Sequence, residues 1–403
     1  MVSEGGMNRP LRVLFVTSTP PIDSLGGALL FYRQFHGSSD YELFVITDNS
    51  CHTTDSYPSI LLRLPAPLRR LMRTRLALFV HDAVHLLRGA WIPPVVWRAA
   101  RTFQPDLVLT GGETSMADLA HRIARRLQRP LVGHFMDWPT YGMLAHAPIK
   151  AWASRQFVRR YRRCQLAFGI CPEMLEALGP HPNCRVFYPF APAESATLPP
   201  APPGTISVQR PYTLLFAGNL GEWYGQALLA LLERIPAGGS LKLLIAGCHA
   251  NWPAETEQQL VASGTFLGFL KGAPYRQALA RADALLVIMG FDEEARQIES
   301  TSFKSKIVDY LLADRPLIVW GPSYSTAVRH ARREGFALVV DRPDPAEVLA
   351  ALQHLCDQPA LGQQLVNSGR RYRSRCLDAD VVLPAALNAK QQLVAAWNHA
   401  CSA

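Results

Sequence analysis

The sequence predicts an α/β protein made of two doubly wound domains. Three observations predict it. Short apolar runs alternate with amphipathic helical stretches along most of the 403 residues, the rhythm of a mainly parallel sheet. A glycine-bearing loop follows the opening strand of each half: Gly26-Gly27 after Arg12 to Thr17, and Gly218-Asn219-Leu220-Gly221 after Thr213 to Ala217. Seven prolines crowd between Pro189 and Pro211, a composition that is stiff and extended rather than foldable. That linker, 191–211, separates an N-terminal domain at 1–190 from a C-terminal domain at 212–380.

In the first half, strands are expected at Arg12 to Thr17, Glu42 to Thr47, Asp106 to Thr110, Leu131 to Phe135, Ala167 to Cys171 and Arg185 to Tyr188. Helices Ala28 to Phe35, Ala117 to Leu127 and Ile149 to Cys164 fill gaps between them. In the second half, strands are expected at Thr213 to Ala217, Lys242 to Ala246, Thr265 to Leu270, Ala284 to Met289, Leu317 to Trp320 and Ala337 to Val340. The last segment, 381–403, reads as a helix long enough to cross back onto the first domain.

Composition narrows the function. The chain is 49% hydrophobic and 18% charged, so it builds large cores and is not disordered. A net charge of +9 suits an acidic ligand. Nucleic acid would explain the charge but not two glycine-loop domains, so it is not expected as a partner. The eight cysteines are scattered without a Cys-x-x-Cys pair. Neither a zinc site nor a disulfide framework is expected, and a reducing cytoplasm fits. The first ten residues lack an apolar signal region, and no apolar run reaches membrane-spanning length.

One segment interrupts the alternation. Leu68 to Arg101 carries seven arginines and one acid, Asp82, interleaved with Leu, Phe, Val and Trp. Two readings fit it: a basic amphipathic surface for an anionic membrane, or a surface insertion whose apolar side is buried. Trp138 to Pro172 is also basic and holds no acid; its apolar stripe reads as a core-packing helix.

The stretch from Ser300 to Gly321 carries the chemistry. A Ser/Thr/Lys run reads as a loop and first helical turn, with Lys304, Ser305 and Lys306 beside a helix start that attracts anions. A helix from Ile307 to Ala313 follows, with Asp309 one turn on. Arg315-Pro316 ends it before the apolar strand Leu317 to Trp320.

These motifs together resemble the GT-B fold and, within it, the "group 1" (family-four-like) nucleotide-sugar glycosyltransferases. The resemblance rests on Gly26-Gly27, on His134-Phe135-Met136-Asp137-Trp138, on Phe216-Ala217-Gly218-Asn219-Leu220, and on Ser305-Lys306-Ile307-Val308-Asp309-Tyr310-Leu311 with Arg315-Pro316. It covers nearly the whole chain except roughly 55–104. It implies two Rossmann-like domains facing a cleft, and transfer of a sugar from a nucleoside diphosphate sugar to a glycan, a lipid-linked glycan or a small molecule. No bound metal or other cofactor is implied, and a cytoplasmic protein peripheral to the inner membrane face is expected. Gly26, Gly27, Gly218, Asn219, Lys304, Ser305, Lys306 and Asp309 would bind the donor, with a lysine supplying the diphosphate's cation and Asp309 the ribose contact. Asp137 would take the acceptor proton if the anomeric centre inverts, and His134 would touch the sugar. Glu113 and Glu299 are weaker candidates.

The chain departs from the family at two points. Thr301 stands where the first glutamate of a Glu-x(7)-Glu pair falls, and Asn219 and Tyr224 stand near the places of an Arg and a Lys. These departures leave two other readings open: an inactive GT-B-like partner protein, or a GT-B-fold sugar-nucleotide epimerase.

Overall fold

The computed structural model describes residues 9–23, 26–49, 57–191, 211–221, 223–236, 238–248 and 250–402. Most of the proline-rich linker therefore lies outside the described residues. The chain divides into two compact units: Met1–Pro189 with Val382–Ala403, and Phe190–Val381.

The first unit holds a seven-stranded parallel sheet. In chain order its strands are β1 (Leu11–Thr17), β2 (Tyr41–Thr47), β3 (Ser59–Leu61), β4 (Leu107–Gly111), β5 (Leu131–Phe135), β6 (Leu166–Gly169) and β7 (Cys184–Val186). They lie in the order β3-β2-β1-β4-β5-β6-β7. Strands β4, β5 and β6 are buried at every position, because helices cover both faces of a parallel sheet; this is why they read as unbroken apolar runs. The helices that matter here are α1 (Gly26–Phe35), α2 (Ala66–Leu71), α3 (Ala77–Leu87), α4 (Pro94–Phe103), α5 (Met116–Leu127) and α6 (Ala147–Arg163).

The second unit holds a five-stranded parallel sheet: β8 (Tyr212–Asn219), β9 (Leu241–Cys248), β10 (Ala284–Ile288), β11 (Leu317–Trp320) and β12 (Ala337–Val340), in the order β12-β11-β10-β8-β9. Thr265 to Leu270 is not a strand. Only a bridge between Phe266 and Ile245 forms there, because Gly264 and Gly268 adopt positive φ of 66° and 68° and turn the chain out of the ladder. Ser300 and Thr301 are not loop either. They end a helix, Arg296–Thr301, where the Thr301 hydroxyl donates to the Gln297 carbonyl at 2.7 Å.

From Val382 onward, the final helix (Ala379–Ser402) belongs to the first unit. Val394 and Ala386 are buried there, and Trp397 Nε1 donates to the Gln128 carbonyl. No helix among the described residues is long and apolar enough to cross a membrane.

Candidate functional site

Each sheet has one place where chain order reverses, and ligands of doubly wound folds sit beyond the strand ends there. In the second unit this point lies between β8 and β10. Pairing of those strands ends at Leu215. At Ala217 a side chain takes over the role of a neighbouring strand: Tyr310 Oη accepts from the Ala217 N–H at 2.8 Å and donates to its carbonyl at 3.0 Å. The hydroxyl fastens the Lys306–Leu312 helix to β8. Lys306, one turn earlier, is thereby held over the strand's end.

Lys306 Nζ lies 4.1 Å from the Phe216 ring centroid and 5.5 Å from that of Tyr224. A Cβ on Gly218 would stand 2.5 Å from it. Among the described residues Lys306 forms no ion pair. Burial pushes its amine down to about 7, and Lys304 adds to the shift while Glu299 opposes it. The ring faces of Phe216 and Tyr224 lie closest to its charge.

Lys304 sits differently. Its ammonium pairs with Glu299 at 3.1 Å. Glu299 is fully buried and also accepts from the Gly290 N–H at 3.1 Å and Tyr224 Oη at 3.2 Å. Of the two lysines expected to hold the diphosphate, Lys304 thus has its charge matched by a carboxylate. Asn219 is exposed, and its Oδ1 accepts from the Gly221 N–H at 3.1 Å, shaping the loop after β8. Ser305 is exposed, and Asp309 is half-buried one turn past Lys306. Thr301 is buried, and the acidic run 292–294 points to solvent. The carboxylate in this site is Glu299. Sequence reasoning gave it little weight, although Ala295, Glu299 and Ser302 share a helical face that the structure buries.

In the first unit the reversal lies between β1 and β4. Gly26 opens α1 with φ of 61°, and a Cβ on Gly27 would fall 2.8 Å from Met136 Cε, so the glycine loop packs against the end of β5. Glu113 follows β4. Its carboxylate accepts from the Met136 N–H at 3.0 Å and fills the space a Gly111 side chain would need, 2.8 Å from that Cβ position. Burial pushes Glu113 up to about 7; the backbone amides hold it lower, and the neighbouring Asp137 charge raises it further. Asp137 itself is exposed.

His134 is a core residue, which corrects its expected contact with sugar. It is 1% exposed and walled in by Phe31, Phe168 and Phe187, whose centroids lie 4.7 to 5.3 Å away. Burial, with Lys390 nearby, holds its imidazole well below the ordinary range, and so neutral.

No family model and no curated protein matches the sequence. Solved structures do match. The Anabaena protein HepE in complex with UDP-glucose is 16% identical over 97% of this chain and 100% of that chain, with a TM-score of 0.64. Sucrose-phosphate synthase from Thermosynechococcus elongatus is 13% identical over 96% and 100%, also at 0.64. A glycosyltransferase from Rickettsia africae is 10% identical over 96% and 99%, at 0.66. The chain thus has the GT-B fold of nucleotide-sugar glycosyltransferases.

Proposed function

We propose that the protein is a glycosyltransferase that moves a sugar from a nucleoside diphosphate sugar to a glycan, lipid-linked glycan or small-molecule acceptor. The observation that carries this reading is Lys306: an amine with no ion pair among the described residues, held at the strand end where such folds bind ligands. In the reaction, an acceptor hydroxyl oxygen bonds to the anomeric carbon as its bond to the diphosphate oxygen breaks. The leaving diphosphate keeps the electron pair. Lys306 neutralises that growing charge in place of a metal ion, and Glu299 and Lys304 shape the pocket beside it. If the centre inverts, Asp137 takes the acceptor's proton, with Glu113 positioning the turn that carries it. Asp309 and the backbone at Gly218 and Asn219 would hold the nucleoside. Glu299 supplies the carboxylate missing at Thr301, which supports an active enzyme over a partner-only relative.

Calorimetric titration with a panel of nucleoside diphosphates, followed by transfer or donor-hydrolysis assays, tests this. One nucleotide is expected to bind, and Lys306→Ala to weaken it by about ten- to a hundredfold, the scale of a lost charge-assisted contact. Absence of any nucleotide binding overturns the proposal. Epimerised donor in place of free nucleotide would make the protein an epimerase instead.

A further inference from the structure

Helix α3 leaves most of an apolar stripe uncovered. A surface helix ordinarily turns its apolar stripe to the core. Here Leu76, Phe79, Ala83, Leu86 and Leu87, spaced three or four apart with one adjacent pair, are all exposed. Val80, on the same stripe as Leu76, Ala83 and Leu87, is buried, and Asp82 at the flank of the stripe is paired with His146. Within the segment, α4 buries Val96, Ala100 and Phe103, as an insertion with a buried apolar side would, whereas α3 buries only Val80.

The patch is larger than one helix. Leu68 and Leu71 of α2 are exposed, as are Trp91 at 62% and Val95 at 56%. Leu144, 63% exposed, joins them, since its backbone bonds to His85 and the ring of nearby His146 lies tilted 4.9 Å from that of Phe79. Of the fourteen large apolar side chains exposed among the described residues, eight fall between Leu68 and Val95 and a ninth is Leu144, all in the first unit. Four arginines, at 69, 70, 73 and 75, are exposed beside them and form no ion pair among the described residues. The one acid of the segment is turned inward.

We infer that this face docks on an anionic lipid bilayer, with Phe79, Leu86, Leu87 and Trp91 entering the headgroup–acyl boundary and the α2 arginines on lipid phosphates. Apolar residues of this size gain most from hydrocarbon, and unpaired arginines from negative headgroups. Nucleic acid would leave the aliphatic stripe in water. A second copy of the chain would set arginine against arginine. Docking does not depend on the transferase reading; only its bearing on a lipid-linked acceptor does.

The test is sedimentation of the full chain with vesicles of phosphatidylcholine alone or with about one-third phosphatidylglycerol, at low and high salt. Binding is expected only to the mixed vesicles, weakening with salt. The triple variant Arg69→Glu/Arg70→Glu/Arg73→Glu should lose at least about tenfold in affinity, and so should Phe79→Ser/Leu87→Ser. Both variants alter exposed side chains, so circular dichroism melting and nucleotide titration should match wild type; that keeps this result separate from the nucleotide reading. No binding to mixed vesicles overturns the inference, as does binding that both variants leave intact. Wild-type self-association abolished by Phe79→Ser/Leu87→Ser would also overturn it, making the face a protein contact.

Discussion

The ammonium of Lys306 occupies the space that a side chain on Gly218 would need: a Cβ there would lie 2.5 Å from Nζ and 3.0 Å from Cε. Gly218→Ala should therefore displace the lysine's tip, which is flexible, without disturbing the strand. We expect nucleotide diphosphate affinity to fall about tenfold while stability to urea changes by less than about 1 kcal/mol. Unchanged affinity in calorimetry would separate Lys306 from the diphosphate.

The same amine makes binding depend on pH. Burial holds Lys306 at about 7, so above that value the empty site carries a neutral amine. A bound diphosphate restores the proton. Affinity should then fall as pH rises past 7, by up to about tenfold per unit. Titrations in buffers of different ionisation heat should show proton uptake at pH 8, and Lys306→Met should show none.

Glu113 gives a second signature. Its folded-state value of about 7 lies above the ordinary 4.5. Between those values the folded state keeps a proton that the unfolded state has lost. Stability therefore falls as pH climbs from 4.5 to 7 and is level above. Glu113→Gln keeps an acceptor for the Met136 N–H and should gain about 1–3 kcal/mol at pH 8 in urea unfolding. If the anomeric centre inverts, Asp137→Asn should abolish transfer while leaving nucleotide affinity in calorimetry unchanged.

Lys390 is the counter-example of a buried amine without a site. It is fully buried in the final helix, with Nζ 3.5 Å from Tyr41 Oη and near the rings of Phe35 and Phe168. Burial pushes it down to about 7. Its folded value lies below the unfolded one, so stability should rise from pH 7 towards 10.5. Lys390→Met should remove about 1.4 kcal/mol per pH unit of that slope and stabilise the fold at neutral pH. A variant less stable at pH 7 would show that the amine's contacts outweigh its desolvation.

The sheets were readable because parallel strands buried on both faces leave apolar runs. Leu131–Phe135, Leu317–Trp320 and Ala337–Val340 form at the expected residues. Gly26 and Gly218 stand at the reversal points because they follow or end the first strand of each sheet, and Lys306 reaches the second through the Tyr310 contact with β8. What the sequence concealed are partnerships at a distance. Lys304 and Lys306 look alike in a row, yet Lys304 alone meets a carboxylate. His134 lies inside β5, where alternation sends its ring among phenylalanines, whereas Asp137 lies in the bend past the strand's end. The exposed stripe of α3 has the period of a core-packing helix, and no local signal tells which face looks outward.

A lysine that is half neutral near pH 7 is also a nucleophile. Lys306 is only partly covered, whereas Lys390, equally depressed, is sealed inside the first unit. An amine-acylating reagent at neutral pH should therefore find Lys306 ahead of the ordinary surface lysines. The burial that weakens its standing charge also makes it a place where the empty protein can be selectively tagged.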